Sequence, residues 1–131
     1  MAFSLTTATR NGIASYVESQ LEVGAGNASL EIQNAIGTVL ATFNLGAAPF
    51  GAPVGGVMSL AGVPLEATVA SSGTATKYRI KNRNGSVEIT GDPNSVDTAA
   101  GAGIDIILSS VSLNAGDIIR ITSLTYTVGN A

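Results

Sequence analysis

Thr74-Ala75-Thr76-Lys77-Tyr78-Arg79-Ile80-Lys81-Asn82-Arg83-Asn84-Gly85-Ser86-Val87-Glu88-Ile89-Thr90 decides the fold class. Both flanks alternate. Thr76, Tyr78 and Ile80 share one face, Lys77, Arg79 and Lys81 the other, and Val87 and Ile89 alternate with Glu88 and Thr90. A period of two is the signature of a pleated strand with one face inward. Asn84-Gly85 between the flanks is the pair best suited to a type I′ turn, in which both central residues take positive φ. The stretch therefore reads as a β-hairpin. It carries Lys77, Arg79, Lys81 and Arg83, four of the six basic residues, and Arg120 is a candidate for the same sheet.

Downstream, residues 91–103 form a polar loop of small side chains, and residues 104–108 read as a strand. Asn114-Ala115-Gly116-Asp117 is a turn before the longest strand, residues 118–128. The apolar phase there passes from Ile119 and Ile121 to Leu124, Tyr126 and Val128, which predicts a bulge at Thr122-Ser123. Upstream, residues 57–60 and 65–69 are short strands, and residues 28–33 and 39–45 make another hairpin.

Gly46-Ala47-Ala48-Pro49-Phe50-Gly51-Ala52-Pro53-Val54-Gly55-Gly56-Val57 is apolar yet without period, and its prolines and glycines exclude a long regular element. It is either a buried crossover between sheets or an arm lying on another subunit. Pro49, Phe50 and Pro53 are its interface candidates, with Phe50 as the anchor. Residues 4–23 read as the one helix: Ser4 or Thr6 caps it, Ile13, Val17 and Leu21 form its apolar stripe, and Gly24 ends it. That stripe serves either the chain's own core or a neighbouring subunit, and Arg10, Glu18 and Glu22 are expected off it. The sum is a single domain over residues 1–131. It is mainly β, an antiparallel β-sandwich over residues 28–128, jelly-roll-like in one version, with one N-terminal α-helix.

Composition narrows the function. The chain lacks cysteine, histidine and tryptophan. Disulfides, thiolate metal sites and the commonest general base are thereby excluded. Only 11% of residues are charged, and the net charge is −3. An ordinary soluble domain carries roughly 25% charged residues, so this surface suits contact with other subunits and points to a homo-oligomer. An acidic balance argues against nucleic acid as a direct partner. No apolar run reaches the ~18 residues that span a bilayer, and no signal-peptide core follows Met1, so folding in a cytoplasm is expected.

No stretch carries a catalytic signature. The glycine runs are not followed by Gly-Lys-Ser/Thr, and no Gly-x-Ser-x-Gly occurs. Asp92-Pro93-Asn94-Ser95-Val96-Asp97 offers oxygens to a hard cation but lacks the calcium-loop pattern, and Asx-turn chemistry explains it. No catalytic, cofactor or metal residue is assigned. Lys77, Arg79 and Lys81 form a basic ladder. It is either a solvated edge face answered by Glu66 or Glu88, or a docking face that extends to Arg83.

The opening Leu5-Thr6-Thr7-Ala8-Thr9-Arg10-Asn11-Gly12, the segment Thr74-Ala75-Thr76-Lys77-Tyr78-Arg79-Ile80, the Asn84-Gly85 hairpin and the closing strand Ile121-Thr122-Ser123-Leu124-Thr125-Tyr126 resemble small structural proteins of tailed bacteriophages. The likeness is one of layout and composition and transfers no functional residue. It implies a β-sandwich and a non-enzymatic virion component made in the host cytoplasm. The first expectation is a capsid decoration (cement) protein bound to the major capsid protein or other virion subunits. A neck or tail ring component, or a receptor- or carbohydrate-binding module of a tail fibre, is the alternative. The last needs grooves with aromatics, of which the chain offers Phe3, Tyr16, Phe43, Phe50, Tyr78 and Tyr126.

Overall fold

The computed structural model describes residues 4–128, so Phe3 lies outside the described residues. Helix α1 (Thr7–Leu21) precedes eleven strands: β1 (Ala28–Gln33), β2 (Val39–Gly46), β3 (Val57–Ser59), β4 (Leu65–Thr68), β5 (Gly73–Thr74), β6 (Lys77–Lys81), β7 (Val87–Thr90), β8 (Val96–Asp97), β9 (Ile106–Leu108), β10 (Ser112–Leu113) and β11 (Ile118–Thr127). The architecture is the expected antiparallel β-sandwich with an N-terminal helix. One sheet runs β2-β1-β6-β7, and the other runs β3-β11-β9-β8 with β4 also on β11. The β8–β9 pair is parallel. The short strands β5, β8 and β10 are additions to the sequence reading, two residues each and too brief to show a period.

Strand β11 organises the second sheet. Along one side, β3 pairs with its Thr125–Thr127 half and β4 with its Ile118–Ile121 half. On the other side β9 pairs only from Ile121 to Leu124. The register shifts between Ile121 and Ser123, where the inward phase changes, so the expected bulge is present. Arg120 lies on this second sheet, opposite Glu66, and not on the sheet of the basic hairpin. The two inner faces meet in one core, with Leu30, Ile32, Phe43 and Ile80 from one sheet and Met58, Ile106, Leu108 and Ile121 from the other.

The central hairpin differs from expectation in its turn. Gly85 N–H donates to Asn82 O at 3.0 Å. Gly85 alone takes positive φ, +83°, while Asn84 does not. This is a three-residue loop closed by a left-handed glycine, with a register shift at Ile80/Lys81, and not a type I′ turn. Asn82 is the cause. It is buried, its Oδ1 accepts from Asn84 N at 2.9 Å and Ser86 N at 3.0 Å, and its Nδ2 donates to Glu88 Oε1 at 3.0 Å. Asn82→Ala is expected to cost about 2 kcal/mol in urea unfolding, because it orphans two main-chain donors. A cost below about 0.5 kcal/mol would show that the turn holds without it.

Helix α1 begins later than expected, at Thr7. Thr6 Oγ1 accepts from Thr9 N at 3.2 Å, which satisfies a first-turn donor. The inward line is not Ile13-Val17-Leu21. Ala14 and Leu21 are fully buried, Val17 is half-buried and Ile13 is exposed. The small Ala14 lets the helix backbone approach the sheets. Arg10, Asn11 and Glu18 flank it on the same side, so rotation toward the expected stripe would pull them off their partners.

At its exit the helix docks on the hairpin turn. Gly24 has φ +117°, and a Cβ there would lie 2.6 Å from Arg83 C and Asn84 N. Only glycine fits such an approach. Arg83 Nε closes the junction with a 2.7 Å bond to Gly26 O.

Candidate functional site

The basic ladder is answered from the neighbouring strand. Glu31 of β1 stands in register with Arg79 of β6, and its carboxylate pairs with Arg79 Nε and, at 3.2 Å, with Lys81 Nζ. The partners proposed from sequence are engaged elsewhere: Glu66 with Arg120 at 3.4 Å, and Glu88 with Asn82. Burial alone would raise the Glu31 pKa. The hydrogen bonds and charges of Arg79 and Lys81 outweigh it and hold the carboxyl below the ordinary glutamate value.

Glu31 therefore adds stability above about pH 4.5, and that stability is lost as pH falls through the lower folded value. Glu31→Gln is expected to cost about 1 kcal/mol at pH 7, since both cations are partly solvated, and nearly nothing at pH 2. A pH-independent cost would remove the ion pairs as its cause. Lys77 forms no ion pair among the described residues, and Arg83 is spent on the main chain of Ala25 and Gly26. Of the four hairpin cations proposed for docking, only Lys77 keeps an uncommitted charge.

The 46–57 stretch is a crossover bound to the chain's own helix. Arg10 Nη1 donates to Gly55 O at 3.0 Å, and Gly56 N donates to Asn11 Oδ1 at 2.7 Å. Phe50 N donates to Glu18 Oε1 at 3.3 Å. Pro49 and Phe50 are buried and Pro53 is half-buried, and Phe50 packs into the chain's own core. Burial raises the Glu18 pKa against the Phe50 hydrogen bond, and the Glu22 charge adds to it. The sign is opposite to that of Glu31. The neutral form is favoured on folding, so this contribution is present below about pH 4.5 and fades as pH rises. Sequence reasoning placed Arg10 and Glu18 off the packed face. The signal available was their helical spacing with Asn11 around Ala14.

Turning α1 this way leaves Ile13 and Tyr16 outward, with Tyr16 65% exposed, and Val23 is exposed just past the helix end. Ile36 at the β1–β2 turn, Val54 and Ile118 are exposed too, at separate places. The Asp92–Asp97 loop is organised by its own atoms: Asn94 takes φ +63°, and Asp97 Oδ1 accepts from Thr98 N at 2.7 Å.

Where the sheets part beside β7, a half-open cavity of about 480 Å³ is lined by Phe50, Tyr78, Ile80, Ile89, Leu124 and Tyr126. Among the described residues Asp105 is the only charged one in its wall. Tyr78 Oη donates to Asp105 Oδ2 at 2.8 Å. Burial first, then the charges of Asp105 and Asp92, push the Tyr78 hydroxyl well above its ordinary pKa, so it remains a donor at all ordinary pH.

Comparison with protein-family models, with curated proteins and with solved structures finds no match.

Proposed function

We propose that the chain is a non-enzymatic structural subunit of a phage-type virion, a capsid decoration protein that assembles on a shell of major capsid protein. The observation that carries this reading is the outer face of α1. Ile13 and Tyr16 stand exposed on one side of a helix whose other side is held by the core and by the 46–57 crossover, and Val23 is exposed just past its end. Side chains of this kind in the middle of a nearly uncharged surface suit burial against another subunit. Tyr16 is the natural anchor, since tyrosine gives a large contact area at low entropy cost. The layout shared with small phage structural proteins points the same way.

The test is to locate the chain on purified particles by cryo-electron microscopy. Density on the shell with α1 at the contact is the expected result. Density at the neck would reassign it to a ring component, and absence from the particles would end the structural reading. The double variant Ile13→Ser/Tyr16→Ser is expected to keep its unfolding midpoint and to lose particle binding by at least tenfold in co-sedimentation. Unchanged binding would move the contact off this face.

A further inference from the structure

The seam cavity lies between two unpaired strand edges. β7 is the last strand of its sheet, with only β6 beside it among the described residues. Gly91 N bonds to Tyr78 O, and Ile89 stands opposite Ile80. Main-chain groups alternate sides along an antiparallel strand, so those of Thr90 face the free edge; the register shift at Ile80/Lys81 makes Glu88 the extra residue of a bulge, and those of Val87, opposite Lys81, are the next to face it. On β11, Leu124 O accepts from Leu60 N, and Val128 N donates to Gly56 O, both on the β3 side. Thr125 and Thr127 therefore turn their main-chain groups the other way. The β9 ladder ends with Leu124 opposite Ile106, so Asp105 stands opposite Thr125 and Thr127 lies past it, while Asp105 N and Ile106 N are both taken by Ser95 O. Thr90, Thr125 and Thr127 have exposed, outward-phase side chains yet line the cavity, so their strand edges meet it. The site is an opening shaped for an extended chain, with an apolar floor between its lips.

We infer that this opening binds an extended peptide segment of a partner protein. The segment adds to the free edge of β7 and sends alternate side chains, apolar ones and one lysine or arginine, into the cavity. Main-chain bonding to a sheet edge supplies affinity, and pockets for alternate residues supply selection. At roughly 3.3 Å per residue, the four residues of β7 accept about four residues of the incoming strand. Phe50, Tyr78, Ile80, Leu124 and Tyr126 form the floor. The charge of the occupant follows from the wall: among the described residues Asp105 is its one charged group, with one carboxylate oxygen held by Tyr78, and no basic residue lines the site. A cationic side chain beside tyrosine rings and a carboxylate is favoured over a neutral or acidic one. This inference concerns a different face from α1 and stands or falls without the virion reading.

The test uses the full chain, 15N-labelled, titrated with acetyl-Thr-Val-Thr-Lys-Thr-Val-Thr-amide and followed by NMR. Shifts confined to residues 87–91, 104–105 and 124–127, with slowed amide exchange at Val87 and Thr90, are expected. Glutamate in place of the peptide's lysine should weaken binding by about tenfold, and methylating every peptide amide should abolish it. Asp105→Asn, which keeps an acceptor for Tyr78, should weaken the lysine peptide about fivefold and leave a leucine version unchanged. Shifts elsewhere or none, equal binding of the methylated peptide, or equal binding of the glutamate peptide overturns the inference. So does a peptide-free dimer with Val87 and Thr90 already protected, which assigns the edge to a second copy.

Discussion

Phe43→Ala is expected to lower the unfolding free energy by about 3–5 kcal/mol, the largest loss of any single truncation in this chain. Phe43 is fully buried and is among the largest side chains in the core. It stands opposite Leu30 on the inner face of the first sheet. Removing the ring forfeits its transfer free energy and leaves a hole that two crossing sheets close poorly. The loss approaches the whole stability of a small domain, so the variant is expected to be largely unfolded near 37 °C. Thr42→Ala, one residue away on the exposed phase, serves as the control and should stay within about 0.5 kcal/mol. Urea melts of the two variants check this. A Phe43→Ala cost below about 1 kcal/mol would mean that the sheets do not pack through this residue.

Gly91→Ala is expected to cost about 3 kcal/mol for a different reason. The added Cβ would fall inside contact distance of the Tyr78 ring and 2.9 Å from Ser95 Oγ. Tyr78 is buried and tied to Asp105, so it has nowhere to swing without breaking that bond. Overpacking of this kind costs roughly 1–3 kcal/mol, and the loss of the hydroxyl bond adds about 1. The steric origin predicts strong non-additivity. In a Tyr78→Ala background the same Gly91→Ala change should cost less than about 1 kcal/mol, because the ring it strikes is gone. Additive costs in the double-mutant cycle would place the effect in the loop backbone instead. The pair also bears on the seam, since Tyr78 forms part of the cavity floor.

Much of the strand content was legible because period-two alternation is a local property. Tyr78 and Ile80 turn inward and Lys77, Arg79 and Lys81 outward, as their spacing dictates. The β11 bulge was legible for the same reason: a bulge is a phase error in an otherwise regular pattern. The turn class of the hairpin was not. Asn84-Gly85 promises a type I′ turn, but the buried Asn82 amide takes two donors of the loop and leaves Gly85 as the one left-handed residue.

The candidate contact surfaces were less legible. Charge and aromaticity marked Arg79, Lys81, Arg83 and Phe50 as interface candidates, yet each is engaged inside the chain. Their partners, Glu31, Gly26 and Glu18, lie 32 to 57 positions away, where no local pattern reports them.

From its order of residues alone this chain determined a β-sandwich with one leading helix, without disulfides and with little surface charge. Those features follow from spacing and composition, which act between near neighbours. The tertiary structure decided which face of α1 points out, which cations remain uncommitted, and where the two sheets part. Each is set by register between distant strands. Glu31 meets Arg79 only because β1 pairs with β6, and the seam opens only because β9 ends at Ile106 while β11 runs on to Thr127.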